Sequence, residues 1–243
     1  MSFSYAHSPV PVRDDIPEAH RKTWQRLAGP GSWWTGAERV AIASEARNAP
    51  NCALCAERKA ALSPNVAGVH DHEGKLSEAS VEAIHRLVTD AGRLTRSWFE
   101  KLMSEGLGDA PYVEIVGIVA GVLSIDNFHR ALGLALEPLP APRPGEPSRY
   151  RPTSAIREEA YVPMIPAKGN SGDEADLWSR MTGNVIRAMS LVPDAVRSLK
   201  ELSAVHYLKL EDVPDPRIHM PGLERPQVEL IAGRVSALNE CFY

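Results

Sequence analysis

Two cysteines three residues apart, Cys52 and Cys55 in the stretch Cys-Ala-Leu-Cys, have types and spacing suited to redox chemistry. The thiolate attacks a peroxide or a disulfide, and a helix N-terminus stabilises that anion through unpaired backbone N–H groups. Asn51 can cap a helix over residues 52–62, with both cysteines on one face of its first turn. The spacing therefore predicts a pair able to form a disulfide. Two buried thiols that only fill a core are the alternative.

Two charged residues would assist the thiols. Glu38 is a candidate general base, provided that burial raises its pKa. Its alternative role is structural, because Thr35 and Glu38 have the spacing of a capping box. Lys59 lies one turn beyond Cys55, where its ammonium group would lower the pKa of a thiol, or would simply be a solvated helix residue.

A zinc site is a competing interpretation of the same cysteines. Together with His70 and His72 they would supply a Cys₂His₂ set, but this spacing differs from that of zinc fingers. We therefore expect neither a metal nor another cofactor. Three further histidines are expected to be surface residues or hydrogen-bonded core residues: His85, His129 and His206.

Composition excludes several classes of function. The chain has 243 residues, a formal net charge of -4 and three cysteines. It has no basic patch for nucleic acid or anionic lipid, and no secreted disulfide framework. The longest apolar run, 115–125, is shorter than a bilayer span, and the N-terminus does not resemble a signal peptide. We expect a cytoplasmic protein with neither a nucleic-acid nor a membrane partner.

Residues with high helix propensity fill most periodic segments, so the expected fold is all-α. Helices are predicted at 18–27, 36–48, 52–62, from Ser77 to about 88, and at 94–105, 111–136, 174–191, 193–206 and 225–239. Residues 138–152 contain six prolines and predict an extended linker. The predicted organisation is a helical module over 1–137, the linker, and a second region over 153–243.

The last helix repeats part of the helix before the cysteine pair. Glu-Arg-Val-Ala-Ile-Ala-Ser-Glu-Ala-Arg-Asn aligns with Glu-Leu-Ile-Ala-Gly-Arg-Val-Ser-Ala-Leu-Asn, so that Glu229 matches Glu38 and Cys241 matches Cys52. We therefore expect a partial second module with Glu229 and Cys241 as counterpart residues. Whether the natural chain continues past Tyr243 is open.

The order of a glutamate, a helix and then the motif Asn-x-Cys-x-x-Cys resembles the pattern of the carboxymuconolactone decarboxylase and alkylhydroperoxidase D superfamily. Residues 76–136 are similar as well, with Glu-Gly-Leu-Gly-Asp and Ile-Asp-Asn-Phe-His-Arg-Ala-Leu-Gly before and at the end of a long helix. The resemblance implies a homo-oligomer that reduces a small hydroperoxide or disulfide and is itself reduced by a thiol protein. It also implies that Cys55 is the peroxidatic cysteine, which attacks the peroxide, and that Cys52 is the resolving one, which closes the disulfide. The position of Cys52 at the helix start, taken alone, favours Cys52 as the attacking thiol instead.

Two alternatives accompany this thiol-dependent oxidoreductase. The first alternative is a catalytically silent scaffold or binding protein of the same fold. It is suggested by Lys59, because peroxidase members of the family have a histidine at that position. A lyase resembling lactone decarboxylases is the second. That chemistry does not need a cysteine pair, and the Cys-Ala-Leu-Cys motif therefore argues against it.

Overall fold

The computed structural model describes residues 3–179, 182–239 and 241. In those residues the regular elements are helices, accompanied by two isolated β-bridges, which confirms the all-α class. The α-helices are α1 (Asp15–Ala28), α2 (Gly36–Asn48), α3 (Ala53–Ala60), α4 (Glu78–Thr89), α5 (Arg96–Ser104), α6 (Asp109–Ala131), α7 (Asn184–Arg187), α8 (Pro193–His206) and α9 (Arg225–Leu238).

Two predicted helix starts are confirmed by their caps. The Thr35 hydroxyl accepts the N–H of Glu38 and the Glu38 carboxylate accepts the N–H of Thr35, which completes the capping box of α2. The Ser77 hydroxyl accepts the N–H of Ser80 at the start of α4. These bonds satisfy N–H groups that have no partner inside the helix.

The prediction of a single helix at 174–191 is wrong. Its place is taken by a 3₁₀ turn at Gly172–Glu174 and the single turn of α7, while residues 180–181 lie outside the described part of the chain. The Asn170 amide donates to the carbonyl oxygens of Ala175 and Trp178, at 3.3 and 2.6 Å. Because these carbonyls are satisfied by a side chain, the segment folds as a loop despite its helix propensity.

Helix α6 lies at the centre of the core and packs against α2, α4 and α8. A Cβ atom at Gly117 would lie 2.9 Å from the Cβ of Ala195 on α8, so glycine permits the close approach of these helices. Among the described helices, α6 has the length and composition to cross a membrane, as core helices often do. Its buried carboxylates, Glu114 and Asp126, are paired with arginines of α2.

The core continues across the proline-rich segment 138–152. Ile42 and Ile115 belong to the same buried cluster as Leu191 and Val196, which come after that segment. The segment runs along the first helices, where the Arg143 N–H donates to the Ala28 carbonyl at 2.7 Å and the Ser148 N–H to that of Gly31 at 3.1 Å. The predicted linker is therefore extended, but it does not coincide with a break in the core.

Helix α9, the predicted repeat of α2, is mostly exposed. Val228 is its buried residue, and its large exposed apolar side chains are Leu230, Ile231, Val235 and Leu238. Glu229 accepts hydrogen bonds from the Tyr207 hydroxyl at 2.7 Å and from Arg225 at 2.5 Å. Cys241 is an exposed free thiol. The second module therefore stays a prediction.

Candidate functional site

The cysteine pair begins helix α3. A 3₁₀ turn, Ala49–Asn51, precedes the helix, and the N-cap residue is Cys52 rather than the expected Asn51. The Asp71 carboxylate, from a distant loop, accepts the N–H of Ala53 at 2.9 Å. Because this loop supplies the acceptor, the helix starts one residue later than predicted. Cys52 and Cys55 are both buried, with 1% and 3% of their surface exposed.

Two histidines contact the sulfur atoms. His85 Nδ1, on α4, lies 3.2 Å from Cys55 Sγ. His70 Nδ1, on the loop between α3 and α4, lies 3.5 Å from each sulfur. The two rings have their centroids 4.3 Å apart. The site is therefore a compact cluster of two thiols and two imidazoles, all four buried.

A carboxylate orients each histidine from behind. The Nε2–H of His85 donates to Glu45 at 2.8 Å, and that of His70 donates to Glu82 at 2.8 Å. Glu45 also accepts the Asn48 amide at 3.0 Å. Because each Nε2 faces a carboxylate, each Nδ1 is directed at sulfur.

The two histidines have opposite protonation preferences. Burial lowers the pKa of His85, and the hydrogen bond to Glu45 only partly offsets it, so the ring is neutral. Burial acts in the same direction on His70, but hydrogen bonds with Cys55, Glu82 and Cys52 outweigh it and raise the pKa of His70 to about 10. The cluster thus holds a neutral imidazole beside an imidazolium.

Cys52 is the thiol whose anion is stabilised. Burial by itself raises its pKa, but the backbone N–H groups of Cys55 and Asp71 and the ring of His70 stabilise the thiolate. The net result is a Cys52 pKa below the ordinary value of a thiol. The helix start and the histidine therefore act in the same direction on the Cys52 thiol.

Glu38 and Lys59 have the placements that were their alternative roles, in a capping box and at an exposed helix position. Glu38 lies at the start of α2 and its carboxylate accepts the Thr35 N–H and hydroxyl at 2.8 and 2.7 Å. Glu45, about two turns further along the same helix, is the carboxylate of α2 that contacts His85. Lys59 is exposed, whereas its neighbour Arg58 points into the site and donates to Glu82 at 2.7 Å.

Of the two loop histidines considered for zinc, only His70 belongs to the cluster. The Nε2 atom of His72 lies 3.2 Å from Glu78 instead. The fourth member is His85, which the sequence interpretation assigned to the surface or core. One signal was available: Val81, His85 and Val88 have helical spacing, so His85 is a titratable side chain on an apolar helix face.

A pocket of about 290 Å³ opens beside the cluster. Its lining includes His70, Arg58 and Glu82, together with Lys101 of α5 and Glu105, which follows that helix. Of the four cluster residues, His70 is the one that lines this pocket, and its Nδ1 lies 3.5 Å from each sulfur. The pocket wall therefore carries both charges, with the imidazolium and guanidinium groups next to Glu82.

Comparison of the chain with protein-family models, with curated proteins and with solved structures finds no match. The arguments that follow therefore depend on the geometry of the cluster.

Proposed function

We propose that this protein is a thiol-dependent oxidoreductase that reduces a small hydroperoxide or disulfide with the Cys52 and Cys55 pair. The observation that carries the proposal is the chain of contacts from Cys55 to His85 to Glu45. A neutral imidazole held by a carboxylate is the ordinary means of taking a proton from a nucleophile. In the superfamily that the sequence resembles, a histidine at position 59 would have this role; here His85 of another helix takes its place.

In the first step, His85 accepts the proton of Cys55, and the Cys55 thiolate attacks the outer oxygen of the hydroperoxide. The O–O bond breaks, the alcohol leaves with the proton, and Cys55 becomes a sulfenic acid. Glu45 stabilises the imidazolium that forms on His85. Two electrons pass from sulfur to the peroxide in this step.

In the second step, the Cys52 thiolate attacks the sulfenic sulfur of Cys55. The S–O bond breaks, hydroxide leaves and takes a proton from the His70 imidazolium, and a disulfide and water result. The lowered pKa of Cys52 favours this role, because the resolving thiol must already be an anion. A dithiol reductant, such as a reduced thiol protein, then returns the pair to the starting state.

The remaining parts of the proposal follow from the chemistry. A pair that must be re-reduced requires a reducing compartment, which the cytoplasm provides. Association into a homo-oligomer would cover the exposed apolar side chains of α9, such as Leu230 and Ile231. The alkylhydroperoxidase D-like superfamily, with α9 as part of a second module, is the family that we propose.

The decisive test is peroxide turnover in a Cys241→Ser background, which removes the exposed third thiol. We expect Cys55→Ser to abolish sulfenic acid formation, and Cys52→Ser to form it once without closing a disulfide. Mass spectrometry of the quenched protein distinguishes these outcomes. Full turnover in Cys55→Ser would overturn the proposal. Thiols that stay reduced under excess peroxide would favour a silent scaffold with the same fold.

A further inference from the structure

We propose that Cys52, Cys55, His70 and His85 form a Cys₂His₂ site that binds Zn²⁺ when both cysteines are reduced. One ligand atom from each residue lies within 4.8 Å of all the others. The site differs from the one that the sequence suggested, because His85 replaces His72. The proposal does not depend on the redox chemistry above, since a metal could bind here in a protein without peroxide turnover.

The distances match a tetrahedral zinc centre. With Zn–S bonds of about 2.3 Å and Zn–N bonds of about 2.0–2.1 Å, adjacent sulfur and nitrogen ligands lie about 3.6 Å apart. The sulfur to Nδ1 distances here are 3.2, 3.5 and 3.5 Å. Three of the six distances between ligand atoms therefore already have values close to those of a tetrahedral centre, and all six are within 4.8 Å.

The surroundings of the ligands are those of a metal site. Metal-bound histidines generally donate their second ring N–H to a carboxylate or carbonyl, which fixes the ring and the tautomer. Both histidines here do so, His85 to Glu45 and His70 to Glu82, each at 2.8 Å. The same pairing twice in one cluster is an observation independent of the ligand distances.

The local fold also benefits from a crosslink at this point. The cluster joins α3, the irregular segment 61–77 and α4, and its own apolar part consists of Leu54 and Val66 with the two cysteines. Hydrogen bonds such as those from Ala53 and Asn48 to Asp71 already hold the segment, and a four-ligand metal would add a further attachment to this small apolar cluster. Four protein ligands leave no position for substrate, which is typical of a structural zinc site.

Zinc and the disulfide use the same sulfur atoms and exclude each other. One hydroperoxide takes two electrons from the two metal-bound thiolates and consumes two protons, giving the disulfide, an alcohol and water. The disulfide has lost both anionic ligands, so Zn²⁺ leaves. Zinc bound to the reduced protein would therefore be released by the oxidant that the redox proposal names.

The test is titration of the reduced full chain, in the Cys241→Ser background, with Zn²⁺ alone in competition with a chromophoric chelator. We expect one Zn²⁺ per chain, a higher melting temperature with zinc, and a tetrahedral cobalt spectrum with thiolate charge-transfer bands when Co²⁺ replaces it. Cys52→Ser and His85→Asn should abolish binding. Glu82→Gln should weaken it about 10- to 100-fold. His72→Ala, on the same loop, is the matched control and should bind normally.

Circular dichroism of each variant distinguishes loss of zinc binding from loss of the fold. If a ligand variant does not fold, Glu82→Gln still tests the site, because it leaves all four ligands in place. Absence of stoichiometric binding, or equal binding by Cys52→Ser and the parent, would overturn the zinc site. A zinc-free protein that still turns over peroxide rejects only the zinc site. A zinc-binding protein inert to peroxide rejects only the redox function.

Discussion

His85 Nδ1 lies 3.2 Å from Cys55 Sγ, although thirty positions separate the two residues and they belong to different helices. Behind this contact, the Nε2–H of His85 donates to Glu45 at 2.8 Å. The proton acceptor for the thiol thus comes from α4 and its orienting carboxylate from α2. The packing of α2 against α4 is what assembles the proposed catalytic group.

Two glutamates of α2 provide a matched comparison. We expect Glu45→Gln to lower peroxide turnover about 100-fold, the lower end of general base catalysis, because the imidazolium of His85 loses its negative partner. The acid limb of the pH–rate profile should move to lower pH, since His85 then protonates less readily. Steady-state kinetics between pH 5 and 9 measure both effects.

Glu38→Gln is the control for that comparison. Glutamine can still accept the Thr35 N–H, so the capping box and the turnover should persist. Equal losses of peroxide turnover in Glu38→Gln and Glu45→Gln would contradict a specific role for Glu45. They would mean either that Glu38 also takes part in catalysis or that both substitutions disturb the fold of α2.

Arg58 and Lys59 provide a second neighbouring pair. Arg58→Ala removes donors to Glu82 and to the Val66 carbonyl and should lower the free energy of unfolding by about 1–3 kcal/mol. Lys59 is exposed, so Lys59→Ala should change that free energy by less than about 0.5 kcal/mol. Chemical denaturation of both variants tests this. A larger effect of Lys59→Ala than of Arg58→Ala would contradict this prediction.

Burial predicts how the thiols react with a bulky alkylating reagent. Cys241 is exposed, whereas Cys52 and Cys55 are buried. We expect one thiol to react rapidly in the native reduced protein and the other two only after denaturation. Peptide mapping after timed quenching assigns each label. Rapid labelling of Cys55 in the native state would contradict the closed cluster.

Acid should destabilise the protein before its carboxylates titrate. Burial lowers the pKa of His20 to about 3, and burial also lowers those of His206 and His85. In the unfolded chain each binds a proton near pH 6.5 and in the folded chain only at lower pH. Stability therefore falls as the pH decreases below 6.5, by about 1.4 kcal/mol per pH unit for each neutral histidine.

Denaturant unfolding between pH 7 and 5 measures this slope. His20 lies between the Tyr5 hydroxyl at 2.5 Å and His206 Nε2 at 2.7 Å, with His129 also close to its ring. In His20→Gln the slope should decrease by about one proton, because one titrating group is lost. An unchanged slope would mean that His20 is protonated in the folded state.

Truncations test whether the proline-rich segment separates two domains. A chain ending at residue 137 loses α8, which covers α6 and α1, and should not fold. A chain ending at residue 223 loses only α9, whose buried residue is Val228, and should keep its helical spectrum and nearly its melting temperature. A folded, soluble 1–137 fragment would instead support the predicted domain boundary.

The sequence was sufficient to predict features that depend only on residues close to one another along the chain. The capping residues Thr35 and Ser77 and the position of Cys55 in the first turn of a helix follow from short-range spacing. Glu45 and His85 could not be paired in this way, because their contact depends on how α2 packs against α4. The loop over 175–179 was missed for a related reason: Asn170, outside the segment, supplies the hydrogen bonds that replace a helix.

Every cysteine, histidine and carboxylate of the cluster lies between Glu45 and His85, whereas α8, which completes the core, comes more than a hundred residues later. During translation the whole set therefore leaves the ribosome while α6 still has no partner on its α8 side. For that interval the thiols are held by local contacts alone. Under the zinc and redox proposals, the metal and oxidant content of the compartment of synthesis would act on the nascent chain before the finished fold can shield it.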